Sequence, residues 1–171
     1  VYVLLLILCI SIGYAALSTT LNITGVSNIN SAKWDIHFEN VKVSDTSVTA
    51  TSPAAIDAAK TTVNYSVRLP KPGDSYTFTV DVVNAGTIDA RLSGLVKSNL
   101  TTEQEKYLSY TVTYGFNTPI KENDLLKAGT SERIRILVVY SDDKTLAPTT
   151  QQTISNLTFR LDYVQDKGNG I

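Results

Sequence analysis

A sixteen-residue pattern that occurs twice constrains the fold of this chain more than any other feature. Residues Leu69–Asn84 and Leu125–Tyr140 align without a gap and share the motif L-x-K-x-G-x-S. In each copy a glycine, which supplies the φ freedom of a tight turn, precedes a run in which alternate residues are apolar. That period directs one row of side chains to a core and the other to water. The sequence predicts two turn-and-strand units on corresponding edges of a two-layer core.

The alternation in these runs and in the last strand predicts which side chains are buried. The expected core residues are Phe78, Val80, Val82, Ile134, Ile136, Val138, Phe159 and Leu161. The opposite row is expected to be exposed, and it comprises Thr77, Thr79, Arg133, Arg135 and Arg160. A shift of one residue in register would exchange the two rows, so this assignment fixes the face of each strand.

Similar patterns predict the other strands. Trp34, Ile36 and Phe38 alternate with polar residues, and a bulge is expected at Asn40. A second interruption is expected at Gly94. Further strands are expected at residues 47–52, 61–68, 88–96, 110–116 and 153–165, and a loop or helical turn at 53–60.

One short helix is expected at residues 101–108, where Thr101 and Gln104 have the spacing of a capping box. No alternation of strands and long helices appears, which disfavours a parallel sheet. The sequence therefore predicts an all-β fold, specifically a two-layer antiparallel β-sandwich of the jelly-roll or immunoglobulin-like type.

The composition limits the classes of function. The 171 residues include 15 basic and 16 acidic side chains, and the near-zero net charge argues against nucleic acid as a partner. A single cysteine, Cys9, excludes a disulfide or a thiolate metal cluster within one chain. The one histidine, His37, has no second His or Cys with which to share a metal, and it is expected to be a solvated strand residue.

The first sixteen residues, Val1–Ala16, carry no charge and form the N-terminal hydrophobic helix of the predicted architecture. The run is short for a membrane-spanning helix and suits the apolar region of a secretory signal. Small residues in Gly13-Tyr14-Ala15 place the expected cut between Ala15 and Ala16. The alternative is an uncleaved anchor that keeps the protein on the membrane through residues 1–16. Both readings place the rest of the chain outside the cytoplasm.

Three regions follow from these patterns. Residues 1–16 are a signal peptide or membrane anchor, residues 17–165 are the β-sandwich domain, and residues 166–171 are a flexible tail. Within the second region, residues 17–26 are expected to be an extended arm or a first strand. Leu21 and Ile23 are its apolar points, and their spacing suits a strand that places both side chains in a groove.

A search for catalytic, cofactor-binding and metal-binding motifs assigns no residue to any of these roles. The chain lacks H-E-x-x-H, G-x-S-x-G and glycine-rich phosphate loops. Asp142 and Asp143 with Asp89 or Glu122 would offer oxygen ligands to calcium, but adjacent acids in a polar loop are usually solvated. N-glycan acceptor triplets begin at residues 22, 64, 99 and 156.

Several segments resemble a known family of exported proteins. Residues 11–23 look like the signal region of Firmicutes proteins that a SipW-type signal peptidase processes. Residues 34–41, the Pro72-Gly73-Asp74 turn with the strand that runs into residues 84–88, and residues 161–165 are similar to the TasA/camelysin group of biofilm-matrix proteins. The resemblance implies a jelly-roll-like sandwich, export, and self-assembly into fibres through exchange of an N-terminal strand.

These observations favour a secreted, non-enzymatic structural protein of the Gram-positive cell surface or biofilm matrix. Its expected partners are further copies of itself and, during export, a signal peptidase. The alternative is a membrane-tethered surface domain for adhesion or binding that retains its N-terminal helix.

Overall fold

The computed structural model describes residues 24–98, 100–115, 117–152 and 157–168. The chain divides into two compact units, residues 1–31 and 32–171. In the first unit the described residues, 24–31, form no helix or strand. The expected N-terminal hydrophobic helix lies outside the described residues, and within them no helix is long and apolar enough to cross a membrane.

The second unit is all-β with antiparallel sheets, as the sequence predicts. Its strands are β1 (Ile36–Val43), β2 (Ser52–Ile56), β3 (Val63–Ser66), β4 (Ser75–Asn84), β5 (Ala90–Lys97), β6 (Leu108–Tyr114), β7 (Leu125–Leu126), β8 (Ser131–Tyr140) and β9 (Phe159–Gln165). The one α-helix among the described residues is α1 (Thr102–Glu105), and residues Lys144–Leu146 form a 3₁₀ turn. The strand orders are β1-β4-β8-β6, β2-β3 and β7-β5-β9.

The two copies of the repeated pattern form β4 and β8, the two central strands of the four-stranded sheet. They lie side by side and antiparallel, with Phe78 opposite Ile136 and Val80 opposite Ile134. The expectation that they occupy corresponding edges of two layers is therefore wrong. Two strands with the same apolar phase bury the same face when they are neighbours in one sheet, so the pattern itself does not distinguish the two arrangements.

Each turn also contacts the far end of the other copy, in the same way. The Gly73 amide donates to the Tyr140 carbonyl over 3.0 Å, and the Tyr140 amide donates to the Asp74 carbonyl over 2.8 Å. The equivalent residues repeat both bonds: the Gly129 amide donates to Asn84 over 2.8 Å, and the Asn84 amide donates to Thr130 over 2.9 Å. The two units are thus related by an approximate two-fold axis between β4 and β8.

A four-residue turn with the same hydrogen bond starts both units. Asp74 donates its amide to Lys71, Thr130 does so to Lys127, and Gly73 and Gly129 lie between them at φ 88° and 72°. A side chain there would be strained, because L-residues rarely adopt this conformation. A third turn of this kind runs from residue 121 to 124, with Asn123 at φ 72°, and leads into β7.

One apolar cluster joins the sheets. Its buried members include Phe78, Val80, Val82, Ile134, Ile136 and Val138, which confirms these six predictions. Further buried members, Ala90, Leu92 and Leu126, come from β5 and β7. Phe159 and Leu161 pack against the cluster but are only half-buried, because β9 is the outer strand of its sheet.

The opposite row of β4 and β8 is less exposed than predicted. Arg133 and Arg160 are exposed as expected, but Thr79 and Arg135 are half-buried. Thr77 is 1% exposed, so its prediction is wrong. It lies in a central strand directly opposite the larger Leu137, and the Ser44 amide donates to its carbonyl from the other side.

Two predicted irregularities are present, and the start of β1 differs. The β1–β4 register shifts after Glu39, with Asn40 at φ 55°, and the β5–β9 register shifts before Gly94. Trp34 precedes β1 and is 44% exposed, contrary to the predicted strand face.

The region before β3 also departs from the prediction. Residues 47–51 form no strand, and the predicted loop at 53–60 contains most of β2, which pairs with β3. The turn between these strands is fixed by Asp57, whose side chain accepts bonds from the amides of Thr61 and Thr62 over 2.9 and 3.0 Å. The capping box at Thr101 and Gln104 is confirmed, but the helix has only four residues.

The loop after β4 holds the segment that leads into β1. The Ala85 and Thr87 amides donate to the carbonyls of Asp35 and Lys33, both over 2.9 Å. Gly86 lies between them, where a Cβ atom would approach the Lys33 carbonyl oxygen to 2.4 Å. This contact also explains the exposure of Trp34, because residues 33–35 bind the loop before the sheet begins.

We expect Gly86→Ala to destabilise the domain by about 1–3 kcal/mol, because a backbone oxygen must move to admit the methyl group. Gly115→Ala is the matched control, since its Cβ would meet its nearest atoms at 3.8 Å. Urea denaturation of both variants measures the difference. Equal stabilities would contradict the proposed close approach.

Candidate functional site

A groove of about 530 Å³, with both apolar and polar side chains in its lining, opens onto the core where the three sheets meet. Its lining is drawn from β1, β3, β4, β6, β8, β9 and the residues next to β3 and β9: Phe38, residues 61–65, Phe78, Val80, Tyr110, Ile134, Ile136 and residues 157–161. The base of the groove is thus the inner face of the four-stranded sheet. Clefts of this size are the usual form of binding sites in proteins.

The groove lies beside two strand edges that lack partners among the described residues. β3 pairs only with β2, and β9 pairs only with β5. The groove is lined by residues of β3 and β9 but by none of β2 or β5. It therefore faces the unpaired edge of each strand, where main-chain amides and carbonyls offer a template for an additional strand.

Aromatic side chains fill the β3 end of the groove. The ring of Tyr65 packs against Phe78 with 4.9 Å between centroids, and against Tyr76 with 6.0 Å. The Tyr76 hydroxyl accepts a hydrogen bond from the Ala54 amide over 3.0 Å, which links β2 to β4. Such ring pairs stabilise packing beyond the area they bury.

The Tyr65 hydroxyl is buried and has no hydrogen-bond partner among the described residues. Burial raises the pKa of Tyr65 and the neighbouring Tyr110 phenol adds to that rise, although no hydrogen bond joins the two. Burial also raises the pKa of Tyr110 to about 12. Both phenols are therefore neutral at physiological pH. A buried polar group without a partner is unfavourable, so a ligand with an acceptor at this point would be stabilised.

A second cavity, of about 710 Å³, is open to solvent. It is lined by Tyr114, Asp124, Glu132 and Arg133 among others. The Asp124 carboxylate accepts bonds from the Tyr114 hydroxyl over 3.0 Å and the Lys121 amide over 2.8 Å. Asp124 thus fixes the turn before β7. Burial raises the pKa of Tyr114.

The outer face of the four-stranded sheet carries a cross-strand ion pair. Asp81 on β4 is directly opposite Arg133 on β8, and its two carboxylate oxygens accept from the guanidinium over 2.8 and 3.1 Å. The Asn40 amide group of the β1 bulge donates to the same carboxylate over 3.1 Å. Hydrogen bonds from Arg133 hold the pKa of Asp81 below its usual range. The side chain of Asp81 is only 8% exposed, so this network joins three strands around a buried carboxylate.

His37 is not the solvated residue that was predicted, since its side chain is only 15% exposed. Its Nδ1 lies 2.7 Å from an Asp35 oxygen and its Nε2 lies 3.1 Å from a Glu39 oxygen. Residues two apart on a strand share a face, which brings both acids to the imidazole. Hydrogen bonds from Lys33 and Lys60 are the main reason that the pKa values of Asp35 and Glu39 are lowered.

Two of the residues considered for metal binding have other contacts. Asp143 caps the 3₁₀ turn through the Thr145 amide, and Asp89 accepts from the Ala128 amide over 2.8 Å. No group of three or more His, Cys, Asp or Glu side chains within residues 24–98, 100–115, 117–152 and 157–168 is arranged to hold a metal ion. Of the glycan acceptor positions, Asn64 is exposed on β3, and residues 22, 99 and 156 lie outside the described residues.

The predicted cleavage residues Ala15 and Ala16 and the candidate donor residues Leu21 and Ile23 also lie outside the described residues. Sequence reasoning did not find the groove. Its lining comes from six segments of the chain, and no local pattern states which strands leave a gap between them.

No family model, curated protein or solved structure matches the chain.

Replacement of Arg133 by Ala should destabilise the domain, because the buried Asp81 carboxylate would keep only its bond to Asn40. The lowered pKa of Asp81 adds stability above about pH 4, which is lost as the pH falls through the folded-state pKa. Asp81→Asn should therefore flatten the acid limb of a plot of stability against pH. Thermal unfolding between pH 2.5 and 7 measures this, and Lys42→Ala is a control on an exposed strand position. An unchanged acid limb would contradict the role of Asp81.

We expect the purified protein to bind no zinc and to cleave no peptide, because one histidine alone does not assemble a catalytic zinc site. Elemental analysis and a casein digestion assay test this. Stoichiometric zinc that is lost in His37→Ala would overturn it.

Proposed function

We propose that this protein is an exported, non-enzymatic structural subunit that polymerises by strand exchange, and the groove between β3 and β9 carries the proposal. One apolar cluster contains residues of all three sheets, which supports a two-layer sandwich. In that sandwich β1-β4-β8-β6 forms one layer. β2-β3 and β7-β5-β9 form the other, which is incomplete at the groove.

The occupant we propose is the arm of a neighbouring subunit, residues 16–26. Leu21 and Ile23 are two residues apart, so in an extended strand their side chains would project to one face with a spacing of about 7 Å. The groove base offers apolar residues with the same spacing, Phe78 and Val80 on β4 and Ile134 and Ile136 on β8. The spacing of the apolar side chains on the arm therefore matches the spacing at the base of the groove.

Main-chain hydrogen bonds would supply further affinity. An inserted strand would pair with the open edges of β3 and β9, as in other cases of strand addition. It would also bring carbonyl groups near the buried Tyr65 hydroxyl, which lacks an acceptor. Insertion thus satisfies polar groups and covers apolar ones at the same site.

The geometry of exchange determines the product. The arm of one copy enters the groove of the next, so the contact joins two different surfaces. A head-to-tail contact of this kind generates open filaments when it does not close into a ring. The function that follows is mechanical: a fibre of the cell surface or extracellular matrix, which agrees with the resemblance to TasA and camelysin.

The arm becomes free only after a cut between Ala15 and Ala16, so export and assembly are coupled in this proposal. A signal peptidase acts first, and the released N-terminus then reaches a neighbour. If residues 1–16 stay attached, the same domain is held at the membrane as a surface or adhesion domain. The mature N-terminus distinguishes these two outcomes, since N-terminal sequencing of secreted protein should begin at Ala16.

We expect the chain that starts at Ala16 to form filaments visible by electron microscopy. Removal of residues 16–26, or the double change Leu21→Lys and Ile23→Lys, should leave a folded monomer on size-exclusion chromatography. The matched control is Thr20→Lys with Asn22→Lys, which adds the same charge to the opposite face of the arm and should still form filaments. A synthetic peptide of residues 16–26 should raise the unfolding temperature of the truncated form.

A different result would assign the arm to its own domain. If the intact chain stays monomeric at high concentration while the truncated chain unfolds, residues 16–26 are the first strand of the same sandwich, and strand exchange is wrong.

A further inference from the structure

The outer strand β6 of the four-stranded sheet has an open edge that lies apart from the groove. β6 pairs with β8 from Leu108 to Tyr114 without a register shift. The sheet order places nothing on its other side among the described residues. The strand reads L-S-Y-T-V-T-Y and contains no charge and no proline.

The hydrogen bonds at the ends of β6 show which residues have free main-chain groups. The Ser141 amide donates to Tyr107 and the Gly115 amide donates to Arg133, so odd-numbered residues direct their backbone toward β8. In a strand the direction alternates, and Leu108, Tyr110 and Val112 therefore direct their amides and carbonyls to the open side. Tyr114 also faces that side, but its groups bond to residues 117 and 118.

Apart from the edges of β3 and β9 at the groove, the other strand edges carry features that discourage pairing between molecules. β1 has the bulge at Asn40 and the charged side chains of Glu39 and Lys42. β2 contains Pro53 and a register shift, and β7 has only two residues. Charges, prolines, bulges and short length are the common protections of sheet edges. β6 lacks all four.

We propose that β6 is a second, homotypic interface, where two copies pair their β6 strands antiparallel about a two-fold axis at Tyr110. Opposed residues of a hydrogen-bonded pair exchange two bonds, so even-numbered residues must lie opposite even-numbered ones. The axis at Tyr110 places Leu108 opposite Val112 of the second copy. All three free residues are then used, with about six hydrogen bonds in total.

The side chains and charges fit this register. On the outer face Ser109 lies opposite Thr111 of the second copy, and hydroxyl pairs of this kind stabilise neighbouring strands. The absence of charge on β6 removes the like-charge repulsion that a self-paired β1 edge would meet. On the inner face the Lys97 ammonium is 5.3 Å from the Tyr110 ring centroid.

The size of the contact determines how it acts. Five paired residues on each side form an interface well below the roughly 1,600 Å² of a stable complex. A single pair of subunits should therefore associate weakly. Copies that are already linked in a filament present many such edges at once, and the combined contact is much stronger. In the context of the proposed function, β6 would join filaments side by side.

Disulfide trapping tests the register directly. Residues 109 and 111 would form a non-hydrogen-bonded pair with Cα atoms about 4.5 Å apart, which suits a disulfide. In the full chain with Cys9→Ser, mild oxidation of a mixture of Ser109→Cys and Thr111→Cys should give a covalent dimer on a non-reducing gel. Each variant alone should give at least fivefold less, and Lys42→Cys on the β1 edge sets the background.

The outcomes separate this proposal from strand exchange. A dimer from the mixture that persists when residues 16–26 are deleted supports a β6 interface whether or not the arm acts in assembly. Thr111→Lys should abolish the side-by-side bundling of filaments without changing their length, whereas Thr49→Lys, an exposed loop control, should change neither. The proposed register would be overturned if the mixture crosslinked no more than the Lys42→Cys background. It would also be overturned if Thr111→Cys crosslinked more with itself than with Ser109→Cys.

Discussion

The reciprocal pairing of β4 and β8 is the interaction on which the rest of the structure depends. These strands supply most of the buried side chains, and every other part of the core packs against the face they share. Their four end bonds, between each turn and the last residue of the other strand, fix the register at both ends. A slip of one residue would break these bonds and turn the apolar row to the solvent. The groove, the outer ion pair and the β6 edge all take their positions from this register.

Asn84 transmits that register to the second sheet. It is 1% exposed, and its side-chain amide donates to the carbonyls of Ile88 and Leu126 over 2.9 and 3.1 Å. Its side-chain oxygen accepts from the Gly86 amide over 3.1 Å. One residue at the end of β4 thus bonds to β7, to the loop that holds residues 33–35 and, through its backbone, to the turn before β8. Asn84 is specific at this position, because its buried side-chain amide uses both of its N–H donors and its oxygen. Neither Asp nor Leu would supply both donors.

The sequence was informative wherever a structure follows from local chemistry. Period-two runs placed the buried row of β4 and β8, Gly94 and Asn40 marked bulges, and Thr101 with Gln104 marked the capped helix. It was uninformative about which strands are neighbours, because pairing partners fifty residues apart leave no trace in a local pattern. For this reason the two repeats were placed in different layers and the groove was missed. His37 was misjudged because its burial depends on two acids, Asp35 and Glu39, on the same strand face. Thr77 was misjudged because its burial depends on Leu137 of the neighbouring strand.

The ion pair between Asp81 and Arg133 affects whether β8 pairs within its own molecule or with another molecule during folding. Because the two turn-and-strand units are alike, β8 of one molecule has nearly the same backbone complementarity for β8 of another as it has for β4. In that symmetric arrangement Arg135 would lie opposite Arg135, and Arg133 opposite Leu137. The intramolecular pairing instead sets Arg133 against Asp81. Electrostatics at one cross-strand position therefore biases a quasi-symmetric chain toward pairing within itself and away from entangled dimers.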